Sequence, residues 1–411
     1  YGDHRDLHLS LRRQRQMCIR DRLNTYNRLP VSFEKGEGVW LFDKHGKKYL
    51  DALSGVAVNT LGHNHPELVK ALTKQVSKLI HVSNYYNIEE QSLLAEELAD
   101  LSQLSSAFFC NSGCEANEAA IKIARLHGHK QKIHSPDIIV MDKAWHGRSM
   151  ATLSATGSRK AQAGFEPLMP GFIRVPYDDI ASIQKIANQK NNIVAIMLEP
   201  IQGEGGINIP KNLRSYLSNL RKICDMNNWL LIFDEVQCGI GRTGKWFAFQ
   251  HSKIKPDVVT LAKGLASGVP VGACITNKKT SNLMVPGKHG STFGGNPLAC
   301  VSSSVTLKAI KKESLMENAI IQGDFIAKEL EKNLQGYKLV KKIRHIGLML
   351  GVELSVPCND LIQIALDEKL LINVTADNVI RLLPPLIINK SESQFLVDKL
   401  STLIINFIEK N

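Results

Sequence analysis

Between about residues 75 and 300 the chain alternates short apolar runs with stretches of helical periodicity. The runs are 105–110 (SSAFFC), 137–142 (DIIVMD), 193–199 (IVAIMLE), 229–235 (WLLIFDE) and 257–262 (DVVTLA). They are apolar at nearly every position rather than at every second one, which predicts parallel strands buried on both faces. Residues 213–228 (LRSYLSNLRKICDMNN) have helical spacing and lie between two of them. The pattern predicts an α/β fold with a large parallel-rich sheet.

The two ends of the chain read differently. Residues 31–55 carry short segments separated by Lys-Gly, Glu-Gly and His-Gly turns, an antiparallel meander. Beyond residue 303 helical periodicity dominates, with a few short strands such as 348–354 (LMLGVEL). Leu396, Leu400, Leu403 and Phe407 fall on one helical stripe, expected to be core. The expected organisation is a large domain over 76–302 and a smaller α+β domain built from 23–75 and 303–411. Residues 1–22 stand apart, with six arginines, no lysine and no apolar signal core. They are expected to be a disordered leader or foreign to the fold, so that their removal leaves folding and activity unchanged.

Composition narrows the class. No apolar run approaches the ~18–20 residues of a membrane-spanning helix. The eight cysteines are scattered without a CxxC pair, which points to a reduced, cytoplasmic setting. The formal charge of +12 is dispersed, without the basic stripe and interleaved aromatics of a nucleic-acid surface. A basic enzyme that handles anionic substrates accounts for it.

In an open α/β sheet, ligands bind beyond the carboxyl ends of the strands, so the residues after each run carry the chemistry. After 105–110 comes Asn111-Ser112-Gly113-Cys114-Glu115, where Ser112 and Glu115 fit a capping box and Gly113 permits close backbone approach. Such a helix N-terminus suits a phosphate. After 137–142 come Trp145 and Arg148, a stacking face and a carboxylate fork. The fourth run delivers Asp234 and Glu235, then Val236 and Gln237; a buried acid there needs a metal or a protonated heterocycle. The fifth delivers Lys263, placed to have a lowered pKa and act as an amine nucleophile. No second ligand at suitable spacing supports a metal. Together the four strand ends match the needs of pyridoxal 5'-phosphate (PLP).

Six ordered segments, 111–125, 145–148, 198–206, 233–248, 261–273 and 290–300, resemble the class III, or omega, aminotransferases. The resemblance runs from about Leu29 to the C-terminus and implies a fold-type I PLP-dependent transferase. It implies that Lys263 tethers the coenzyme, that Asp234 pairs with the pyridine nitrogen, and that Gln237 touches the ring hydroxyl. Gly113 and Cys114 would bind phosphate through their amides, with Ser112, Trp145, Glu235 and Val236 also around the coenzyme. Thr292 would reach the phosphate of a neighbouring subunit, making the active unit a homodimer. Arg148 and Ser291 would hold substrate, and Glu204 with Arg381 would form a gating ion pair. Trp145 stands where phenylalanine is usual, and Cys114 where threonine or alanine is common.

Gly55 stands where ornithine δ-aminotransferases carry a tyrosine that engages a free α-amine, and Asn117 also resembles the acetylornithine group. The resemblance therefore implies transfer of the δ-amine of N2-acetyl-L-ornithine to 2-oxoglutarate, in arginine biosynthesis. Succinylornithine, N-succinyl-diaminopimelate, ornithine and 4-aminobutyrate stay open as substrates, and an aminomutase or racemase as a rival activity. Gly239-Ile-Gly241-Arg-Thr-Gly244 matches a dinucleotide fingerprint only formally, because it does not open a helix after a strand. His63 with His65, and His127 with His129, lack a convincing third metal ligand and read as structural or surface residues.

Overall fold

A computed structural model describes residue 23 and residues 25–410, so the expectation for 1–22 lies outside the described residues. The described residues ahead of the first strand carry no helix, and the Arg28 guanidinium lies 5.4 Å from the Tyr26 ring centroid. Residues 34–410 belong to one compact unit. It opens with the expected meander, β1 (Phe33–Glu37), β2 (Trp40–Asp43) and β3 (Lys48–Asp51). The large sheet follows as β4 (Ser106–Cys110), β5 (Asp137–Met141), β6 (Phe172–Val175), β7 (Ile193–Leu198), β8 (Leu230–Asp234), β9 (Val258–Leu261) and β10 (Gly272–Thr276). Its order is β4-β10-β9-β8-β7-β5-β6. All its strand pairs are parallel except the two made by β10, which runs against both β4 and β9.

Burial on both faces is visible residue by residue. Ile138, Val140, Leu230, Ile232 and Val258 pack with Ala119, Ala120, Ile123 and Ala124 of the helix Gly113–Lys130. Their neighbours Ile139, Met141, Leu231, Phe233 and Val259 point the other way, into the core that holds Tyr216, Leu217 and Leu220 of the helix Leu213–Asn227. This is the two-residue alternation of a strand with both sides covered.

The C-terminal part adds β11 (Val340–Ile346), β12 (Met349–Leu354), β13 (Leu370–Leu371), β14 (Asn373–Thr375) and β15 (Val379–Leu382). Four of these form a sheet in the order β11-β12-β15-β14, whereas β13 joins the meander beside β3. The meander is tied to the last helix as well: Trp40 Nε1 donates to Glu392 Oε1 at 3.1 Å, and its ring meets Phe395 edge-on at 5.6 Å. Leu396, Leu400, Leu403 and Phe407 are buried, as their stripe predicts. The expected domain limits at 75/76 and 302/303 fall inside the helices Pro66–Lys78 and Pro297–Lys312. Helical periodicity crosses those points without interruption, so no linker marks them.

Candidate active site

The C-terminal ends of β4, β5, β7, β8 and β9 lie along one edge of the sheet, and their last residues meet there. Asp234, at the end of β8, shares the face of Leu230 and Ile232, the side covered by the helix Gly113–Lys130. That helix supplies Asn117, whose Nδ2 donates to Asp234 Oδ2 at 2.7 Å. His146 Nδ1 lies 2.8 Å from the same oxygen, and the Val236 amide donates to Oδ1 at 3.0 Å. Asn117 is itself fixed, accepting from Thr260 Oγ1 at 2.6 Å and donating to the His146 carbonyl at 2.8 Å. A carboxylate only accepts, so this geometry places the imidazole proton on Nδ1. His146 Nε2, fully buried, has no hydrogen-bond partner among the described residues.

Glu235 goes elsewhere, and strand parity is the reason. One residue on, it falls on the opposite face with Leu231 and Phe233. Its carboxylate accepts from the Ala248 and Phe249 amides at 2.6 and 2.8 Å, capping the short turn Ala248–His251. Glu235 therefore does not stand among the groups around Asp234. Burial pushes its carboxyl up to about 7, against the pull of the two amides.

Lys263 follows β9 with a left-handed backbone, φ 45°, which breaks the strand alternation and turns its side chain into the site. Burial lowers its amine to about 8. The Arg381 charge adds to the lowering, while Asp234, Glu199 and Glu204 oppose it, so these groups all act on one amine. The adjoining turn Ser54–Ala57 packs here: a Cβ on Gly264 would lie 2.5 Å from Thr60 Oγ1 and 3.5 Å from the Ala57 carbonyl.

At the end of β4, Ser112 caps the helix Gly113–Lys130 by accepting from the Glu115 amide at 3.2 Å. The expected box is only half made. Glu115 Oε2 reaches back one residue further and accepts from the Asn111 amide at 2.7 Å and from Asn111 Nδ2 at 2.9 Å. The Gly113 and Cys114 amides, in the first turn, have no intrahelical acceptor. A Cβ on Gly113 would lie 2.7 Å from Val236 Cγ1, so only glycine lets Val236 pack against this turn.

Trp145 is half-buried and its ring lies 4.7 Å beneath the exposed Arg148 guanidinium. The Trp145 amide donates at 2.8 Å to Glu199 Oε1, and Glu199 Oε2 accepts from the Gly203 amide at 3.0 Å. Burial, then the nearby Asp234 charge, raises the Glu199 carboxyl to about 7.

Beyond Glu199, the tip 203–207 carries Glu204, whose Oε2 lies 3.0 Å from Arg381 NH1. Arg381 on β15 is buried and also donates to Asn373 Oδ1 at 2.9 Å and to Gln237 Oε1 at 3.3 Å. Desolvation lowers the pKa of its guanidinium and Glu204 works against that. Ser291 Oγ accepts from Asn111 Nδ2 at 3.3 Å, at the cradle's edge, while Thr292 is exposed on the loop ahead of the helix Pro297–Lys312.

His146 and Glu199 are absent from the sequence-derived set, and Asn117 figures in it only as a resemblance marker. Glu199 was findable by the same strand-end logic, as the polar residue closing an apolar run. Nothing local marks His146, whose role depends on an acid 88 positions away. Three of the four histidines weighed as metal ligands bind protein groups: His63 pairs with Asp51 at 2.9 Å, His65 with Glu313 at 3.1 Å, and His127 with the Asn228 carbonyl at 2.8 Å.

These residues fit PLP. The glycine-dependent cradle offers two amides to a phosphate, Trp145 and Val236 offer faces for a flat ring, Asp234 is oriented for a ring nitrogen, and Lys263 supplies a lowered amine.

Residues 23–404 match the aminotransferase class-III family. An acetylornithine aminotransferase from Nitrosomonas europaea is 58% identical over 387 residues, 94% of this chain and 98% of the relative. Among solved structures, the fold is similar to the ornithine aminotransferase of Toxoplasma gondii, which has PLP at partial occupancy in its active site. That match has a TM-score of 0.92 and 32% identity, and covers 97% of this chain and 95% of that one. The acetylornithine aminotransferase of Elizabethkingia anophelis matches with a TM-score of 0.84 and 34% identity, over 96% and 98% of the two chains.

Proposed function

The chain belongs to the class-III aminotransferases, and from that premise we propose that it moves the δ-amino group of N2-acetyl-L-ornithine to 2-oxoglutarate. The products are N-acetyl-L-glutamate 5-semialdehyde and L-glutamate, and the role is in arginine biosynthesis, in the cytoplasm. The observation that carries the reading is the Glu204–Arg381 pair, closed at 3.0 Å, with both charges acting on the Lys263 amine. A transaminase of this kind binds an ω-amine first and an α-keto acid second at one place. An arginine masked by a movable acid gives one site both characters.

PLP, held by this constellation, supplies an electron sink for the carbon that bears the transferred amine. Lys263 would tether it, and its Nζ, when free, would carry protons to and from the substrate carbon. An amine near pH 8 suits that task, because both its forms are accessible at neutral pH. Asp234 would hold a proton on the ring nitrogen, and His146 and Asn117 keep its oxygen aimed. The Gly113 and Cys114 amides would take the phosphate, Trp145 and Val236 would enclose the ring, and Gln237 would meet its hydroxyl. Arg148 and Ser291 bind the substrate's distal groups, and Arg381, released by Glu204, takes the α-carboxylate of glutamate or 2-oxoglutarate.

Thr292 completes the cradle of a second copy, making the enzyme a homodimer. Its exposed loop lies beside Phe293 at 60% exposure, and Tyr85 stands at 95%, an apolar surface that a partner would cover. The assay that tests the substrate is a panel of acetylornithine, succinylornithine, ornithine and 4-aminobutyrate with 2-oxoglutarate. Acetylornithine is expected to give the highest kcat/KM. Ornithine outperforming its acetyl derivative overturns the assignment, and amine loss without 2-oxoglutarate consumption overturns transamination itself.

A further inference from the structure

The tip that carries Glu204 is a strained hairpin. Gln202 and Asn208 pair as an antiparallel bridge, both bonds at 3.0 Å, and close the tip 203–207. Inside it Gly206 has φ 111° and Ile207 φ 51°. A β-branched residue in the left-handed region is costly, and such a conformation persists only where its surroundings over-determine it. Two sets of contacts do so here. The Ile207 side chain is fully buried beside Ile201, Met349 and Leu383. And Arg344, on β11, grips the peptides on both sides of it: Nε donates to the Gly206 carbonyl at 3.1 Å and to the Ile207 carbonyl at 2.7 Å, with NH2 also on Gly206.

Arg344 is itself locked, its NH1 paired with Glu353, which also takes Lys341 Nζ at 2.9 Å. Thr375 Oγ1 donates to the Glu204 carbonyl, and Asn208 Nδ2 to the Gly205 carbonyl at 2.8 Å. Every carbonyl from Glu204 to Ile207 is thus held by a side chain, and only the Glu204 carboxylate is left to move.

We infer that Arg344 is a positioning residue for substrate alternation: by clamping the strained tip it fixes the backbone from which Glu204 reaches Arg381. The acid opens and closes the site by side-chain rotation on a rigid base, and the loop does not travel. The inference rests on the gating role given above to Glu204 and Arg381. Loosening the clamp weakens the closed pair, which the ω-amine half-reaction needs, and leaves the open state, which glutamate needs, intact.

The test compares the two half-reactions of the PLP-loaded enzyme by stopped-flow absorbance, with acetylornithine and with glutamate, in wild type, Glu204→Gln, Arg344→Met and Thr375→Val. Arg344→Met is expected to lower the acetylornithine-to-glutamate ratio of kcat/KM by about tenfold, in the direction of Glu204→Gln, through the acetylornithine term. Hydrogen exchange at the amides of residues 206–208 in the coenzyme-free protein is expected to speed up in Arg344→Met. If Arg344→Met slows both half-reactions equally, or neither, while Glu204→Gln shifts the ratio, the positioning role is overturned and the gate stands. If Glu204→Gln itself leaves the ratio unchanged, the gate falls and the inference with it. Should Arg344→Met not fold, Thr375→Val, which releases the same tip from the other side, decides by the same ratio.

Discussion

The Lys263 amine gives the most direct residue-scale prediction. Capture of the coenzyme needs the unprotonated amine, so its rate rises about tenfold per pH unit and levels off near the amine's pKa. With that pKa lowered to about 8, the plateau is expected to begin there, whereas an unperturbed lysine keeps rising to ~10.4. Mixing coenzyme-free protein with PLP between pH 6 and 10 reads this out, and a rate still climbing at pH 10 contradicts it. Borohydride reduction is expected to leave its adduct on Lys263. Asp234→Asn keeps the shape but loses the charge, and kcat is expected to fall ~10²–10³-fold. Glu235 provides the contrast, since its neighbouring carboxylate faces a turn. Its folded-state pKa, raised to about 7 from 4.5, means the folded protein keeps the proton longer than the unfolded chain. Stability is then lost as pH rises from about 4.5 to about 7, on the order of 1 kcal/mol per unit crossed. Glu235→Gln is expected to flatten that part of the denaturation profile with the activity largely kept; an unchanged slope would disprove the assignment.

At the scale of elements, the strands were legible because burial on both faces leaves a nearly continuous apolar text. β6 and β10 lack that text. FIRV is a four-residue edge whose burial is incomplete, and GACIT begins within the glycine-containing segment 261–273, whose chemistry masks the start of a strand. The strand-end rule located Asp234, Lys263 and the cradle, yet it could not separate Asp234 from Glu235, because that choice is made by which face of β8 the helix Gly113–Lys130 covers. It also passed over Glu199, counted as the last letter of its run. His146 and Asn117 were beyond reach for a different reason: their meaning is a hydrogen bond to one oxygen of a distant acid. The cradle yields a prediction of its own. Gly113→Ala puts a methyl 2.7 Å from Val236 Cγ1, and the relief costs about 1–3 kcal/mol, moving the helix start. PLP affinity, measured by equilibrium dialysis, is expected to drop about tenfold or more, with the melting temperature of the coenzyme-free protein only slightly lowered.

Across the whole molecule, the site depends on parts of the chain that carry none of its chemistry. The helix Lys390–Lys410 contributes no residue to the site, but it buries Leu396, Leu400, Leu403 and Phe407. At ~1.5–3 kcal/mol for each side chain, its loss approaches the entire ~5–15 kcal/mol of a typical domain. Ending the chain before Lys390 is therefore expected to abolish cooperative unfolding, as seen by calorimetry; a truncated protein that still melts sharply and binds PLP would show that the helix is dispensable.

The pairing of β3 with β13 bears on how the protein is made. Leu50 and Asp51 line up with Leu370 and Leu371, and Trp40 with Glu392, so the opening meander meets its partners only after almost everything else has left the ribosome. During synthesis its apolar face has to wait, open to chaperones and to other nascent chains, while the sheet of the catalytic edge can already assemble. Expression yield should accordingly be more sensitive to late stalling and to chaperone supply than the stability of the finished enzyme would suggest.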